Sequence, residues 1–423
     1  MAATLWSETA VAPRNQPSLE EGRSADICVV GGGVGGVAAS YFLAAGGASV
    51  ILLEADRIGS GAAGKSSGFA NAGLWVPPSD IIKAIGASYG ARLIGMLGAA
   101  PRKTFDLINT LGLECDAKHA GTLQCAPDEA AFNDLRERLA ASSSPASELK
   151  LVEADETTRL TGTTAYRGAL VDYRAGVMQP LSYVRSLAVA AEKAGARAYE
   201  KSTAVRFAYA NDRWTVSTEQ GSVSAKWLLV ASEAHMIGRH FGLRREYVPM
   251  PYFNAATRPL TKAEQAAVMP AGQPIVDLRK VVSSFRFDAH DRLVAGSIGE
   301  VASLDGVINR NWIARKIARL FPRLRGIEME FAWAGTIGVT NNHMPTVHHI
   351  GRHAYALGGY NGRGLAAGTV LAEMLSQVVL GRLQEADLPV PVTEPGIARL
   401  AGLRGKALRS AAAAFHLIDA RWS

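Results

Sequence analysis

The sequence predicts an α/β protein that joins a mainly parallel, doubly wound sheet to a second, α+β domain with a mixed or antiparallel sheet. Three observations support this: a strand–glycine turn–helix–strand unit at 26–54, a second glycine-rich turn near the end of the chain, and strand patterns over much of the middle. A chain of 423 residues is longer than a domain with a single hydrophobic core usually is, so we expect two or three domains.

The first unit opens with a short apolar run, Ile27–Val30, which is typical of a buried parallel strand. Gly31, Gly33 and Gly36 follow with the spacing of a dinucleotide-binding turn. The first glycine allows the tight turn, the second admits a pyrophosphate, and the third lets the next helix pack against the strand. That helix is predicted over residues 35–45, with its N-terminus facing the phosphates.

An acidic residue completes the unit. Ser49–Leu53 is predicted as the second strand, and Glu54 ends it about 20 residues after the first glycine, where a carboxylate accepts hydrogen bonds from a ribose. In a chain with 43 glycines the turn alone carries little weight. The ordered combination of strand, glycines, helix, strand and acid predicts a Rossmann-like domain.

The remaining elements follow from periodicity, prolines and apolar runs. Helices are predicted over 80–112, 129–141, 180–194 and 313–321, and strands over 195–199, 205–207, 214–217 and 223–230. Strand signals dominate the regions 249–287 and 293–299. Near the end of the chain a strand at 354–357, a glycine-rich turn at 358–364 and a helix repeat the order of the first unit. The nucleotide-binding domain is therefore expected to be discontinuous.

The predicted organisation has four parts. They are an N-terminal surface arm (1–25), a nucleotide-binding domain (26–78, 176–236 and 340–385), a substrate domain (79–175 and 237–339) and a basic helical tail with a solvated face (386–423).

Composition narrows the class of protein. A hydrophobic content of 48% and a charged content of 20% indicate a folded soluble protein, and the net charge of +7 is read as a solubility feature. No basic run interleaves with aromatic residues, so no nucleic-acid partner is expected. The three cysteines lack metal spacing, and His343, His348 and His349 are predicted as solvated loop residues, so no metal is expected. Without a predicted signal peptide, membrane span or disulfide framework, we expect a cytoplasmic protein.

Several further segments resemble the D-amino-acid-oxidase-like (glycine-oxidase-like) family of FAD enzymes, and within it the gamma-glutamylputrescine oxidoreductase group. The segments that carry this resemblance are 57–68, 170–180, 195–205, 333–338 and 359–364. The resemblance implies a glutathione-reductase-like FAD fold and the oxidation of an amine or amino-acid-like substrate. Hydride passes to flavin N5, and the imine hydrolyses to an aldehyde or keto product.

The resemblance also implies the residues around the cofactor. The expected FAD contacts are Gly31, Gly33, Gly35, Gly36, Glu54, Ala55, Gly61, Ala62, Lys65, Ser66, Ser67, Gly68, Val205, Ala231, Gly335, Gly362, Arg363, Gly364 and Leu365. The catalytic residues stay unassigned, and the candidates for substrate contact are Trp333, Tyr360 and Arg363. Arg363 is open to either role.

The chain departs from the family pattern at instructive places. Relatives often have Ser, Arg and Asn where this chain has Ala63, Lys65 and Ser66, and a histidine where it has Arg363. Members that oxidise small N-methyl amino acids often carry a flavin-linking cysteine within 333–340 and a carboxylate-binding lysine at the position of Ala366. Both are absent here, which predicts noncovalent FAD and a substrate that does not depend on an α-carboxylate.

Two other functions remain open at this stage. The first turn also fits an NAD(P)-linked dehydrogenase, and the chain could instead be a flavin-binding subunit of a larger complex. The expected partners are a small amine and an electron acceptor, either oxygen or a quinone or protein. Membrane contact is not expected, and an oligomer is compatible with the sequence.

Overall fold

The computed structural model describes residues 4–142, 148–232, 241, 243, 246–301, 304–398 and 401–419. These residues form two large sheets, a two-stranded pair and the helices around them. The helices are α1 (Leu5–Thr9), α2 (Val34–Ala45), α3 (Pro78–Ile85), α4 (Ala87–Leu111), α5 (Glu129–Ala140), α6 (Ala154–Thr161), α7 (Pro180–Lys193), α8 (Lys262–Gln265), α9 (Leu304–Leu320), α10 (Gly364–Val379) and α11 (Ala401–Asp419). The strands are β1 (Gly22–Val30), β2 (Val50–Leu53), β3 (Phe69–Ala70), β4 (Thr122–Ala126), β5 (Leu149–Glu153), β6 (Gly168–Asp172), β7 (Gly176–Val177), β8 (Arg197–Tyr199), β9 (Arg206–Ala210), β10 (Arg213–Ser217), β11 (Ser222–Val230), β12 (Val248–Pro259), β13 (Ile275–Asp277), β14 (Ser283–Phe287), β15 (Arg292–Ile298), β16 (Met329–Val339), β17 (Thr346–Gly351), β18 (Ala354–Gly358) and β19 (Val392–Thr393).

The first sheet has nine strands, with the main order β19-β17-β18-β11-β1-β2-β8. Strand β1 is parallel to both β2 and β11, and β11 is parallel to β18. Val30 pairs with Leu53 on one side and with Val230 on the other, so the carboxyl ends of three strands meet at one edge. Crevices at this edge of an open parallel sheet bind ligands, and the predicted nucleotide site lies there.

The strands within residues 205–230 belong to the nine-stranded sheet. Strands β9 and β10 form an antiparallel hairpin that extends the large sheet through β11. The reason is the length of β11, whose first half pairs with β10 on one edge while its whole length pairs with β1 on the other. Strand β1 is correspondingly longer than predicted, because it begins at Gly22.

The second sheet has eight strands in the order β16-β12-β15-β14-β13-β4-β6-β5. Its pairings are antiparallel except for the parallel pair of β13 and β4, so it is a mixed sheet, as predicted. Its strands come from 122–172 and 248–339, which supports the discontinuous division of the chain that we propose. The proposed boundary at 236/237 lies outside the described residues.

The core of each sheet is separate. One face of the nine-stranded sheet is covered by α2, α4, α7 and α10, which share one apolar cluster with Val29 and Leu52. The eight-stranded sheet packs against α9 through Trp312, Ile313 and Ile317. No helix in the described part of the chain is both long and apolar enough to span a bilayer.

The N-terminal arm is not only a surface segment. It contains α1, whose Leu5 and Trp6 are completely buried, so the prediction is wrong for these two residues. The indole N–H of Trp6 donates to the carbonyl of Ser66 at 2.7 Å, and its ring meets Trp333 edge to face at 5.6 Å. These two apolar residues anchor the arm at the junction of the two sheets.

The C-terminal tail is also integrated into the fold. Helix α11 packs against β12 and α9, and His416 is buried where its ring stacks on Trp312 at 3.8 Å. The predicted basic face is solvated at Arg404 and Lys406, which are exposed, whereas half-buried Arg409 pairs with Glu300 at 3.2 Å. Residues 399, 400 and 420–423 of the tail lie outside the described residues.

The burial of Trp6 yields a prediction about stability. We expect Trp6→Ala to lower the free energy of unfolding by about 3–5 kcal/mol, because it removes a large buried aromatic side chain and leaves a cavity. Ile397→Ala, at a side chain that is 66% exposed, is the control and should change it by less than about 0.5 kcal/mol. Urea unfolding followed by circular dichroism measures both, and equal effects would contradict an anchoring role for Trp6.

Candidate functional site

The glycine-rich turn between β1 and α2 has the geometry of a nucleotide-binding turn. Gly31 has φ +112°, and a Cβ there would lie 2.8 Å from the carbonyl oxygen of Ala231. A Cβ at Gly36 would lie 1.9 Å from the carbonyl oxygen of Gly31. Glycine is therefore required at both positions by the fold itself.

Gly33 differs from its neighbours. It caps α2 with φ −80°, a conformation open to any residue, and an added Cβ would meet no protein atom within 4 Å. Nothing in the protein demands glycine at this position. The open space lies directly before the N-terminus of α2, where free N–H groups and the helix dipole favour an anion. The residues present therefore fit the pyrophosphate of a dinucleotide.

Glu54 lies beside this turn at the end of β2. Its carboxylate accepts hydrogen bonds from the N–H groups of Gly32 at 2.6 Å and Asp56 at 2.9 Å. Burial raises the pKa of the Glu54 carboxyl, while these bonds and the N–H of Ala55 act in the opposite direction. A carboxylate accepts up to about four hydrogen bonds, so lone pairs remain for ribose hydroxyls.

Two further predicted contacts flank the same strand ends. Val205 is partly exposed, and it follows a connection in which Ser202 donates its N–H to the Glu54 carbonyl at 2.8 Å. Ala231 follows β11, and its N–H donates to the carbonyl of Val30 at 2.8 Å. The structure thus brings both segments to the edge that carries the glycine turn.

The predicted cofactor loop, Gly61–Gly68, is fixed through its carbonyl groups. Most of the donors are side chains of the eight-stranded sheet, and one comes from α1. We call the five donor residues the loop clamp: Trp6, Tyr252, Asn254, Arg286 and Trp333. The bonds run from Tyr252 to Ala62 (3.0 Å), from Asn254 and Trp333 to Lys65 (3.1 and 2.9 Å), from Trp6 to Ser66 (2.7 Å), and from Arg286 to Ser67 and Gly68 (both 3.2 Å).

The clamp explains two other residues on the predicted list. Gly335 lies on β16, and a Cβ there would lie 2.6 Å from the hydroxyl of Tyr252, so glycine makes room for this clamp residue. Gly68 has φ +78°, and a Cβ there would lie 2.3 Å from Nη1 of Arg286. The hydroxyl of Ser67 donates to the side-chain carbonyl of Asn254 at 2.7 Å.

The second glycine-rich turn connects β18 to α10 at the same edge of the nine-stranded sheet. Gly362 has φ +83°, and Gly364 begins α10, with Leu365 buried behind it. The turn contacts the segment after the cofactor loop, because the indole N–H of Trp75 donates to the carbonyl of Asn361 at 3.0 Å. Residues 61–75 therefore run from the first glycine turn, past the second sheet, to the second turn.

Arg363 is the most unusual side chain in this turn. It is only 7% exposed; its Nη1 donates to the carbonyl of Ala72 at 2.6 Å, and its guanidinium lies over the Trp75 ring at 4.2 Å. Its Nε is buried and has no hydrogen-bond partner among the described residues. Within that part of the chain no carboxylate lies within ion-pair distance of Arg363. Burial lowers the pKa of Arg363 to about 10, and the charges of Arg138 and Arg174 add to this effect while Asp172 opposes it.

The other two candidates for substrate contact have packing roles. Tyr360 lies between α2 and α10, where Cβ atoms added at Gly35 and Gly368 would meet its ring or hydroxyl at 2.9 and 3.3 Å. Trp333 is buried, and its N–H is bound to the carbonyl of Lys65. Of the three candidates, Arg363 alone is a cation, and its buried Nε has no hydrogen-bond partner among the described residues.

The prediction of solvated loop histidines agrees with His343, which is exposed in a turn, and is wrong for His348 and His349, which lie on β17. His348 lies on β17 and is 2% exposed; its Nε2 lies 2.6 Å from a carboxylate oxygen of Glu246, and its Nδ1 lies 2.9 Å from the hydroxyl of Thr393. His349 is half-buried and lies 3.1 Å from Glu385. The described residues contain no group of three or more His, Cys, Asp or Glu side chains placed to hold a metal ion.

Sequence reasoning missed most of the loop clamp. Tyr252, Asn254 and Arg286 lie in strands that were predicted only as strands, and Trp6 lies in the predicted surface arm. A signal was present, since Asn254 and Arg286 are polar residues inside apolar runs, and such residues are buried only with hydrogen-bond partners. The identity of those partners, far away in sequence, could not be read from the pattern.

Comparison with known proteins agrees with this geometry. Residues 26–378 match the family model described as FAD-dependent oxidoreductase. The probable oxidoreductase OrdL of Haemophilus influenzae is 28% identical over 383 residues, which cover 87% of this chain and 86% of that protein. The gamma-glutamylputrescine oxidoreductase of Escherichia coli is 27% identical over 377 residues, with 88% and 87% covered.

A solved structure shows the same fold. The crystal structure of glycine oxidase from Geobacillus kaustophilus superposes with a TM-score of 0.70 at 19% identity and covers 86% of this chain and 96% of that one. At this identity the likeness concerns the fold alone. It confirms the predicted combination of a Rossmann-like domain with a second, mixed-sheet domain.

The open space at Gly33 yields a prediction. We expect Gly33→Leu to fold, at a cost of about 1 kcal/mol for the altered helix cap, but to lose the dinucleotide because the side chain fills the pyrophosphate position. Gly95→Leu is the matched control, since a Cβ there also meets nothing within 4 Å but lies on α4. The ratio of flavin to protein absorbance measures binding, and thermal melting measures folding. Full occupancy in Gly33→Leu would rule out this position for the pyrophosphate.

Proposed function

The chain belongs to the family of FAD-dependent oxidoreductases, and from this premise we propose that it oxidises the C–N bond of an amine that carries an anionic group. When bound, the flavin N5 of FAD would supply the acceptor for the hydride that leaves the carbon next to nitrogen, and hydrolysis of the imine would give an aldehyde or keto product. Gly31, Gly33, Gly36 and Glu54 would hold the adenosine diphosphate half, and the cofactor loop with the second glycine turn would hold the flavin half.

The environment of Arg363 is the observation that supports an anionic group on the substrate. A buried cation without an ionic partner is costly, and the cost falls when an anion binds. The charge of Arg138 also acts on Arg363 and favours an anion nearby, whereas Arg174 is paired with Asp172 at 2.7 Å. Stacking on Trp75 holds the guanidinium plane in place and leaves Nε free to donate.

The anion is proposed to lie away from the reacting carbon. The resemblance places a carboxylate-binding lysine at position 366 in relatives that use small N-methyl amino acids, and Ala366 here is buried and uncharged. A longer amine with a carboxylate at its far end satisfies both observations. Arg363 could instead contact the cofactor, and the Arg363 variants below distinguish the two roles.

The amine must be neutral to release hydride, so the rate should rise with pH until the bound amine has lost its proton. Arg363, with its pKa near 10, stays charged over most of this range, and anion binding persists while the amine titrates. Burial of the turn and of the clamp keeps water from the reacting groups, which protects the imine until it is released.

FAD is proposed to be bound noncovalently. The free cysteines Cys28, Cys115 and Cys125 are all buried, and none lies in the 333–340 segment. Burial raises the pKa of the Cys115 thiol to about 12 and that of the other two thiols still further, so these thiols are poor nucleophiles. The electron acceptor is proposed to be oxygen, a quinone or a protein.

The match to an FAD-dependent family argues against the alternative that the chain is an NAD(P)-linked dehydrogenase. A flavin-binding subunit without turnover of its own is still compatible with the fold. Turnover by the isolated chain distinguishes this alternative from the proposed enzyme.

Anaerobic reduction tests the substrate class. We expect γ-aminobutyrate, an amine with a distal carboxylate, to bleach the flavin faster than either n-butylamine or α-aminobutyrate. Of the three, only γ-aminobutyrate has both a reacting carbon without an attached carboxylate and a distant carboxylate that can bind Arg363. Stopped-flow absorbance measures the rates, and admission of air or a quinone tests the acceptor. Fastest bleaching by α-aminobutyrate or by sarcosine would place the enzyme among amino-acid oxidases instead.

Variants of Arg363 test its role. We expect Arg363→Ala to raise the KM for the anionic amine about 10–100-fold, as expected when a charge-assisted hydrogen bond is lost, while the flavin spectrum and affinity stay the same. Arg363→Lys should restore part of the affinity. Arg352→Ala, at an exposed arginine paired with Asp212, is the control. Loss of FAD or a shifted spectrum in Arg363→Ala would assign the arginine to the cofactor.

A further inference from the structure

Arg286, on β14, is a second buried arginine with an unusual environment. It is 3% exposed, and its guanidinium donates to four carbonyl groups. Nη1 donates to Ser67 and Gly68 at 3.2 Å each and to Met178 at 2.6 Å, and Nε donates to Phe287 at 3.1 Å. The guanidinium also lies over the Trp6 ring, 5.3 Å from its centroid.

The charge of Arg286 is not neutralised by direct contact. Among the described residues no carboxylate lies within ion-pair distance of it. Asp288 and Asp116 act on it only from further away, and burial, which outweighs them, lowers the pKa of Arg286 to about 10. The side chain is therefore a cation at neutral pH, surrounded by carbonyl dipoles in a poorly solvated region.

Neutral donors would suffice to hold the loop. Tyr252, Asn254 and Trp333 already bind Ala62 and Lys65 without a charge. A buried positive charge costs desolvation that an amide or a hydroxyl does not, so its presence needs a partner that benefits from it. The carbonyls it binds belong to Ser67 and Gly68, at the end of the proposed cofactor loop.

The loop lies between Arg286 and the space at the edge of the first sheet. The N–H of Gly59 donates to the carbonyl of Gly32 at 2.9 Å, which fixes the start of the loop at the first glycine turn. After the loop, Ala72 accepts from Arg363 at the second turn. A dinucleotide that starts at Gly33 and extends away from Glu54 meets this segment with its second half, the flavin.

We propose that Arg286 positions the cofactor loop and that its fixed positive charge raises the reduction potential of the bound flavin. This inference rests on the proposed function, because it requires the flavin to lie along the loop. Accepting a hydride converts the neutral oxidised ring into an anion. A cation behind Ser67 and Gly68 stabilises that anion more than the oxidised ring, since charge interactions in a buried region are only weakly screened.

Sulfite is a probe of this charge that requires no substrate, because it adds to oxidised flavin and leaves an anionic adduct. We expect Arg286→Gln, which keeps an amide donor but removes the charge, to raise the dissociation constant of sulfite about tenfold. The two-electron reduction potential should fall by the corresponding amount, about 30 mV. Equilibrium reduction with a reference dye measures the potential.

Two controls separate charge from packing. Tyr252→Phe removes an uncharged bond to the same loop, and Arg292→Gln removes an arginine on β15 that pairs with Glu330 at 2.9 Å. Arg292→Gln should leave the potential and the sulfite affinity unchanged, and Tyr252→Phe should change both much less than Arg286→Gln does, even where it lowers the melting temperature. An Arg286→Gln holoenzyme with the wild-type potential would overturn the electrostatic role.

Arg286→Lys keeps the test decisive if the glutamine variant does not fold. A buried lysine loses its proton at a lower pH than a buried arginine, so this variant carries a charge that can be titrated. Its potential should match the wild type at pH 6 and fall below it by about 30 mV by pH 10. A potential that follows the wild type at every pH would overturn the inference. Failure of amines to bleach the flavin would count against the proposed function alone.

Discussion

The arrangement of this protein depends on one constraint: the carbonyl groups of residues 62–68 need hydrogen-bond donors, and the first sheet does not supply them. The side-chain donors come from α1 and from the eight-stranded sheet, through the five residues of the loop clamp, and the backbone N–H of Met178 also donates to Gly68 at 2.9 Å. Loss of the donor to a buried carbonyl destabilises the fold by about 1–3 kcal/mol for each carbonyl. The hydrogen bonds to the loop therefore fix the position of the second sheet relative to the first. Residues 62–68 thus both connect the two sheets and form a wall of the proposed cofactor site.

This explains why the N-terminal arm returns to the middle of the molecule. The indole N–H of Trp6 donates to the carbonyl of Ser66, and the Trp6 ring packs edge to face with Trp333. The guanidinium of Arg286 lies over the face of the same ring. Removal of the arm would expose part of this junction to water, which competes for the same carbonyls. The arm is thus part of the site in a physical sense although it contributes no proposed contact to FAD.

The sequence predicts the first sheet well because its signals are local. Strand, turn and helix are adjacent in the chain, and Gly31 and Gly36 are required by contacts within the same unit. The eight-stranded sheet is predicted only as a set of strands, because several of its pairings join distant parts of the chain, such as β12 with β16 and β13 with β4. His348 illustrates the limit, since its burial depends on Glu246 and Thr393, which no periodicity links to it.

The two buried arginines give the site its electrostatic character. Arg286 and Arg363 come from different sheets, yet both donate to carbonyls of the same segment, at Ser67, Gly68 and Ala72. Neither has a carboxylate in contact within the described residues, and burial lowers the pKa of each to about 10. A fold that only needed to hold this segment could use neutral donors, as it does at Ala62 and Lys65. Two desolvated cations in one region are stabilised when negative charge binds near them, and in the proposed reaction a reduced flavin and an anionic substrate would supply that charge.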